Sequence, residues 1–103
     1  TALPFLAAGG QGCISVSANV APRLCSDMQR AWRENDLVTA MEIQDRLTPL
    51  HEAMFCESSP GPAKYAAKLL GKCGNDVRLP MCEISGEAKS QVEAALRSVG
   101  LIN

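Results

Sequence analysis

Apolar residues recur with a helical period over most of the chain. After Pro22, Leu24, Met28, Ala31 and Trp32 fall on one face and predict a helix over 22–34. Proline suits a first turn, where its missing N–H is no loss. Leu37, Ala40, Ile43, Leu47, Leu50 and Met54 follow at spacings of 3, 3, 4, 3 and 4, a clear apolar stripe. Asn35-Asp36 is the tight connection before it, with Asp36 a good N-cap. Pro49 removes one donor inside the stripe, so a kink is expected near Asp45–Pro49. A shorter helix is expected from about Pro62 to Leu70, ended by Gly71. Ser85 caps a last helix to about Val99, with Ala88, Val92, Ala95, Leu96 and Val99 on its apolar face. Residues 1–8 read as the end of a helix halted at Gly9-Gly10. Residues 58–62 are a loop, and 72–84 are irregular, with a turn at Gly74-Asn75-Asp76 and a helix breaker at Pro80.

One stretch has a different rhythm. Gly12-Cys13-Ile14-Ser15-Val16-Ser17 is short, β-branched and bounded by turn residues, and predicts a strand over 12–17. A single strand cannot satisfy its own N–H and C=O groups. Three outcomes follow: it pairs between chains, it becomes helix or coil, or the chain is part of something larger. The headless first helix favours the last. So do apolar stripes on four helices, which exceed what one strand can cover.

Composition narrows the function classes. The 103 residues fit one domain, and 47% hydrophobic with 20% charged is ordinary globular composition. Net charge is −1, and the four aromatic residues offer few stacking platforms, so a nucleic-acid partner is not expected. Residues 1–22 carry no charged side chain. They include Gly9, Gly10, Gln11, Ser15, Ser17 and Asn19, which are costly in hydrocarbon, and lack a basic amino-terminal region. No membrane role and no export are expected, which points to the cytoplasm. Cysteines at 13, 25, 56, 73 and 82 are odd in number and form no Cys-x-x-Cys, which argues for reduced thiols and against zinc. No metal and no cofactor are expected.

Three constellations fail on inspection. His51-Glu52 opens like His-Glu-x-x-His, but Phe55 stands where the second histidine must be. Lys64-Tyr65 pairs an amine with a phenol, yet Lys64 falls in the first turn of an ordinary helix, where solvation keeps an amine protonated. Gly9-Gly10-Gln11-Gly12 follows a helix and opens a strand, the reverse of a phosphate loop. No catalytic residue is expected in this chain.

Residues 9–22, Gly-Gly-Gln-Gly-Cys-Ile-Ser-Val-Ser-Ala-Asn-Val-Ala-Pro, closely resemble the eighth strand and following loop of the dihydrodipicolinate synthase family. The resemblance continues through Asp45-Arg46-Leu47-Thr48-Pro49-Leu50-His51, Pro60-Gly61-Pro62-Ala63-Lys64-Tyr65-Ala66, Arg78-Leu79-Pro80 and Gly100-Leu101. Asn19-Val20-Ala21-Pro22 and Arg78-Leu79-Pro80 look less like the related N-acetylneuraminate lyases.

The resemblance implies a mainly α chain: the helical carboxy-terminal part of a (β/α)8 TIM barrel, with at most one short strand. A whole chain of the family runs to about 290 residues, in the range of such barrels. Residues 1–34 then correspond to the end of helix seven, strand eight (12–17) and helix eight (22–34), and residues 35–103 to extra carboxy-terminal helices. The family condenses pyruvate with aspartate semialdehyde in lysine biosynthesis, through a Schiff base on a strand-six lysine. Tyrosines, threonines and an arginine from earlier in the chain, and a tyrosine from a neighbouring subunit, assist. None of these positions falls in this chain, and Lys64 and Tyr65 do not match them. Ile14 alone carries over, as a residue lining the substrate pocket beside the Schiff base. The expected function is thus that of a fragment, inactive without the missing lysine. The alternative is a self-associating helical module, a homo-oligomer in which Leu37, Ile43, Leu47, Leu50 and Met54 pack against a second copy.

Overall fold

A computed structural model describes residues 1–103 as five α-helices and one 3-10 turn, with no strand. The helices are α1 (Ala2–Ala7), α2 (Pro22–Arg33), α3 (Leu37–Met54), α4 (Gly61–Leu69) and α5 (Gly86–Ser98); the turn is Ser17–Asn19. Two starts are closed by side chains of the expected residues. Asp36 accepts from the Thr39 N–H at 3.1 Å, and the Ser85 hydroxyl oxygen accepts from the Ala88 N–H at 3.2 Å. Each satisfies one of the donors that a helix leaves orphaned at its amino end. Between α2 and α3 the chain reverses through Asn35 at φ 60°, a left-handed conformation that asparagine tolerates.

The core is built around the second half of α3. Leu47, Leu50, Ala53 and Met54 are wholly buried there. Packed with them are Ala88, Val92, Ala95, Leu96 and Val99, Tyr65 and Ala66 of α4, Ile84, and Val20 and Ala21 just after the turn. Burying each leucine contributes about 1.5–3 kcal/mol relative to leaving it in water. On its other side α3 receives α2, which buries Met28 and Ala31. Gly61 starts α4 where a Cβ would come within 2.7 Å of Ile84, so only glycine lets the two segments approach this closely. Arg46 of α3 donates to the Val99 carbonyl at 2.9 Å, satisfying the carboxy-terminal end of α5. The proline at 49 does not divide α3. It leaves one rung of the ladder unmade, while the Thr48 hydroxyl donates to the Gln44 carbonyl one turn back.

Two expectations are corrected. Residues 12–17 are not a strand. Residues 10–15 take no regular structure, and Ser17 already belongs to the 3-10 turn. The physical reason is that no second strand exists in the chain to complete a ladder. The outward apolar stripe is also smaller than expected. Leu47, Leu50 and Met54 face α5 and the core within this chain, and Ile43 is half-buried, so of the five only Leu37 stays largely exposed. No helix is long and apolar enough to cross a membrane.

Candidate functional site

The segment 11–18 runs along one side of a groove of about 910 Å³, opposite residues of α2 and α3. Gln11 through Val16 donate no hydrogen bond from a backbone N–H, and Gln11 through Ser15 accept none at a carbonyl within the chain. The Ile14 side chain is fully exposed. A wholly solvated isoleucine beside a row of unpaired peptide groups has the pattern of a strand, but nothing in the chain completes it.

Order begins at the far end of the segment. The Ser15 hydroxyl oxygen accepts from the Ala18 N–H at 3.1 Å, and the Asn19 amide donates to the Val16 carbonyl at 3.0 Å. The Ala21 N–H donates to the Ser17 carbonyl at 2.8 Å. Ser17 itself is only 2% exposed, and its hydroxyl lies 2.6 Å from His51 Nδ1 of α3. Burial pushes the His51 imidazole below its ordinary pKa. At neutral pH the ring is therefore uncharged and one nitrogen is an acceptor. The Cys25 thiol, also on the groove, is pushed up by burial and is held as the thiol.

The other residues weighed from the sequence lie outside this groove. Lys64 Nζ donates to the Asp76 carbonyl at 2.6 Å. The Tyr65 hydroxyl donates to Glu93 at 2.7 Å, which raises its pKa, and Lys89 stands 5.6 Å from the ring centroid. Amine and phenol thus point to different partners. No three His, Cys, Asp or Glu side chains gather as a metal site. His51 keeps no second histidine beside it, but it joins the groove with Ile14. The Ser17–His51 pair was not visible in the sequence, because the partners lie 34 residues apart and neither belongs to a motif that links them.

Similarity to known proteins extends over nearly the whole chain. A model of the dihydrodipicolinate synthetase family matches residues 1–99. The chain belongs to this family. It is 61% identical over 102 residues to the 4-hydroxy-tetrahydrodipicolinate synthase of Acidiphilium cryptum (strain JF-5), covering 99% of this chain and 35% of that protein. A crystal structure of a dihydrodipicolinate synthase superposes with a TM-score of 0.91 at 43% identity, over 97% of this chain and 35% of that one. A chloride-inhibited dihydrodipicolinate synthase from Acinetobacter baumannii, solved in complex with pyruvate, superposes with a TM-score of 0.85 at 32% identity, over 91% of this chain and 32% of that one. The chain spans about a third of the length of the dihydrodipicolinate synthases it matches. Its helices are a helical piece of a TIM-barrel enzyme.

Proposed function

We propose that this chain is the carboxy-terminal part of a 4-hydroxy-tetrahydrodipicolinate synthase. The whole protein would condense pyruvate with aspartate semialdehyde through an imine on a lysine outside these residues. In this reading residues 1–34 complete the barrel and 35–103 form the helical region after it. The observation that carries the reading is the row of unpaired peptide groups from Gln11 to Ser15, flanked by the solvated Ile14. Such a row is what remains of a central strand when both neighbours belong to the rest of the barrel. Ile14 then forms one apolar wall of the pyruvate pocket, and the relative crystallised with pyruvate supports the substrate. The enzyme works in the cytoplasm with no cofactor, since the imine itself is the electron sink.

The 103-residue chain alone is inactive, because nothing in it offers a desolvated amine. Borohydride reduction in the presence of pyruvate tests this by mass spectrometry. The whole protein should gain one reduced pyruvyl group on a lysine outside this chain, and the chain alone should gain none. A labelled Lys64 would refute the reading.

A second reading concerns the isolated chain. Leu37, Val38 and Met41 are 51%, 70% and 58% exposed at the start of α3. Such neighbours favour burial against a second copy, giving a homo-oligomer whose stability depends on concentration. Sedimentation at rising concentration should show the dimer, and Val38→Glu should remove it. A monomer at all concentrations ends this reading.

A further inference from the structure

Ser17 is the only polar side chain the fold buries, and His51 is its single hydrogen-bond partner. The pair joins two parts of the chain that behave differently. From Val20 onward the backbone is anchored in the core, whereas Gln11 to Ser15 have no backbone partner. Ser17, with Val16 against the core and the Ser15 hydroxyl on the Ala18 N–H, ends the part held by the helical body before the chain runs free at Ile14. A hydrogen bond at this point fixes the direction in which the free segment leaves α3. Ser17 is buried, so losing the imidazole leaves its hydroxyl with no partner in the chain.

We infer that His51 is a positioning residue, which holds the Ser17 hydroxyl and thereby sets where residues 13–16 place Ile14 at the proposed pyruvate pocket. This rests on the reading of Ile14 given above. His51 touches no substrate in this scheme and acts only through Ser17. In the neutral tautomer that carries its proton on Nε2, Nδ1 accepts from the Ser17 hydroxyl. Once the ring is protonated Nδ1 can only donate, so the serine hydroxyl must turn around. The ionisable groups facing the same groove are Cys13 of the free segment, Cys25 and Arg33 of α2, and Glu52 beside His51 on α3. Arg33 opposes a protonated ring and Glu52 favours it. Burial is the largest influence, in line with a neutral His51 at pH 7.

Amide NMR of the 103-residue chain tests the link without reference to catalysis. The amide signals of residues 13–18 should titrate with the midpoint of the His51 ring, while those of 91–97 in α5 stay still. In Ser17→Ala the ring should still titrate but the 13–16 amides should no longer follow it. His51→Asn places an amide oxygen near the Nδ1 position, so it should keep the wild-type amide pattern and lose the titration. Amides 13–16 that ignore the ring in the wild type, or follow it equally in Ser17→Ala, overturn the inference. A whole protein containing this chain gives the second readout. His51→Ala and Ser17→Ala should each lower kcat/KM for pyruvate about tenfold and the double variant no further, since both remove one link. His51→Asn should recover most of the activity. Additive losses, or no rescue by a His51→Asn protein that melts like wild type, also overturn it. If the whole protein traps no pyruvate, the proposed function fails while the NMR result still decides the link.

Discussion

The helical body and the segment 10–16 have similar shares of apolar residues but opposite fates. In α3 and α5 every apolar residue of the shared face finds a neighbour, and the backbone is satisfied within each helix. In the segment only Val16 reaches the core, the peptide groups from Gln11 to Ser15 find no partner, and Ile14 stands in water. The difference comes from where each element finds its hydrogen bonds. A helix bonds to itself four residues away, so it forms without distant partners. A strand bonds to chain that can be hundreds of residues distant, so it does not.

The largest effect that would break this contrast is in the core. Leu50→Ala should destabilise the chain by about 2–5 kcal/mol in urea unfolding, whereas Ile14→Ala should change it by less than about 0.5 kcal/mol. An equal cost at both positions would mean that the segment is packed in solution after all.

A smaller effect is expected at the start of α5. The Ser85 hydroxyl caps the Ala88 N–H and also meets Glu57, which in turn accepts the Ser85 N–H at 3.1 Å. Ser85→Ala should cost about 1 kcal/mol in the same measurement, and Ser85→Asp should recover part of it. No loss in the alanine variant would show that α5 is held by its apolar face alone.

The smallest effects are with pH, and they separate the two regions. Hydrogen bonds from Ser85 hold the Glu57 carboxyl below its ordinary range, those from Thr39 do so for Asp36, and Lys89 and then Asn75 do so for Glu83. A depressed carboxylate contributes stability that is present above its unfolded pKa and lost as pH falls through its folded value. His51 is also depressed, so the unfolded chain takes up its proton first. Its contribution is complete above about pH 6.5 and declines as pH drops below that. Urea midpoints measured from pH 8 to pH 3 should therefore fall in two stages. His51→Asn should remove the upper stage and leave the lower one. A wild-type midpoint flat between pH 7 and 5 would contradict the buried histidine.

Much of the helical body was legible from spacing. Asp36 and Ser85 cap where their side-chain chemistry suggested, and the stripe ending Leu47, Leu50, Met54 is apolar because it is the core. The partner of that stripe was not legible. Periodicity names the face a helix buries but not what it is buried against, so a face suited to a second copy was in fact covered by α5. The same holds for the candidate site. Ile14 is singled out by family resemblance rather than by any property of the residue, and His51 opens a motif that Phe55 leaves incomplete.

Local chemistry alone determined where helices start and stop and that residues 12–16 do not belong to one, since caps, glycines and apolar period act over a few residues. Tertiary structure decided that α3 buries against α5, that Ser17 meets His51 across 34 residues, and that the would-be strand has no ladder. Each of these depends on chain segments brought together by packing, and contact between distant segments leaves no trace in the spacing of either one.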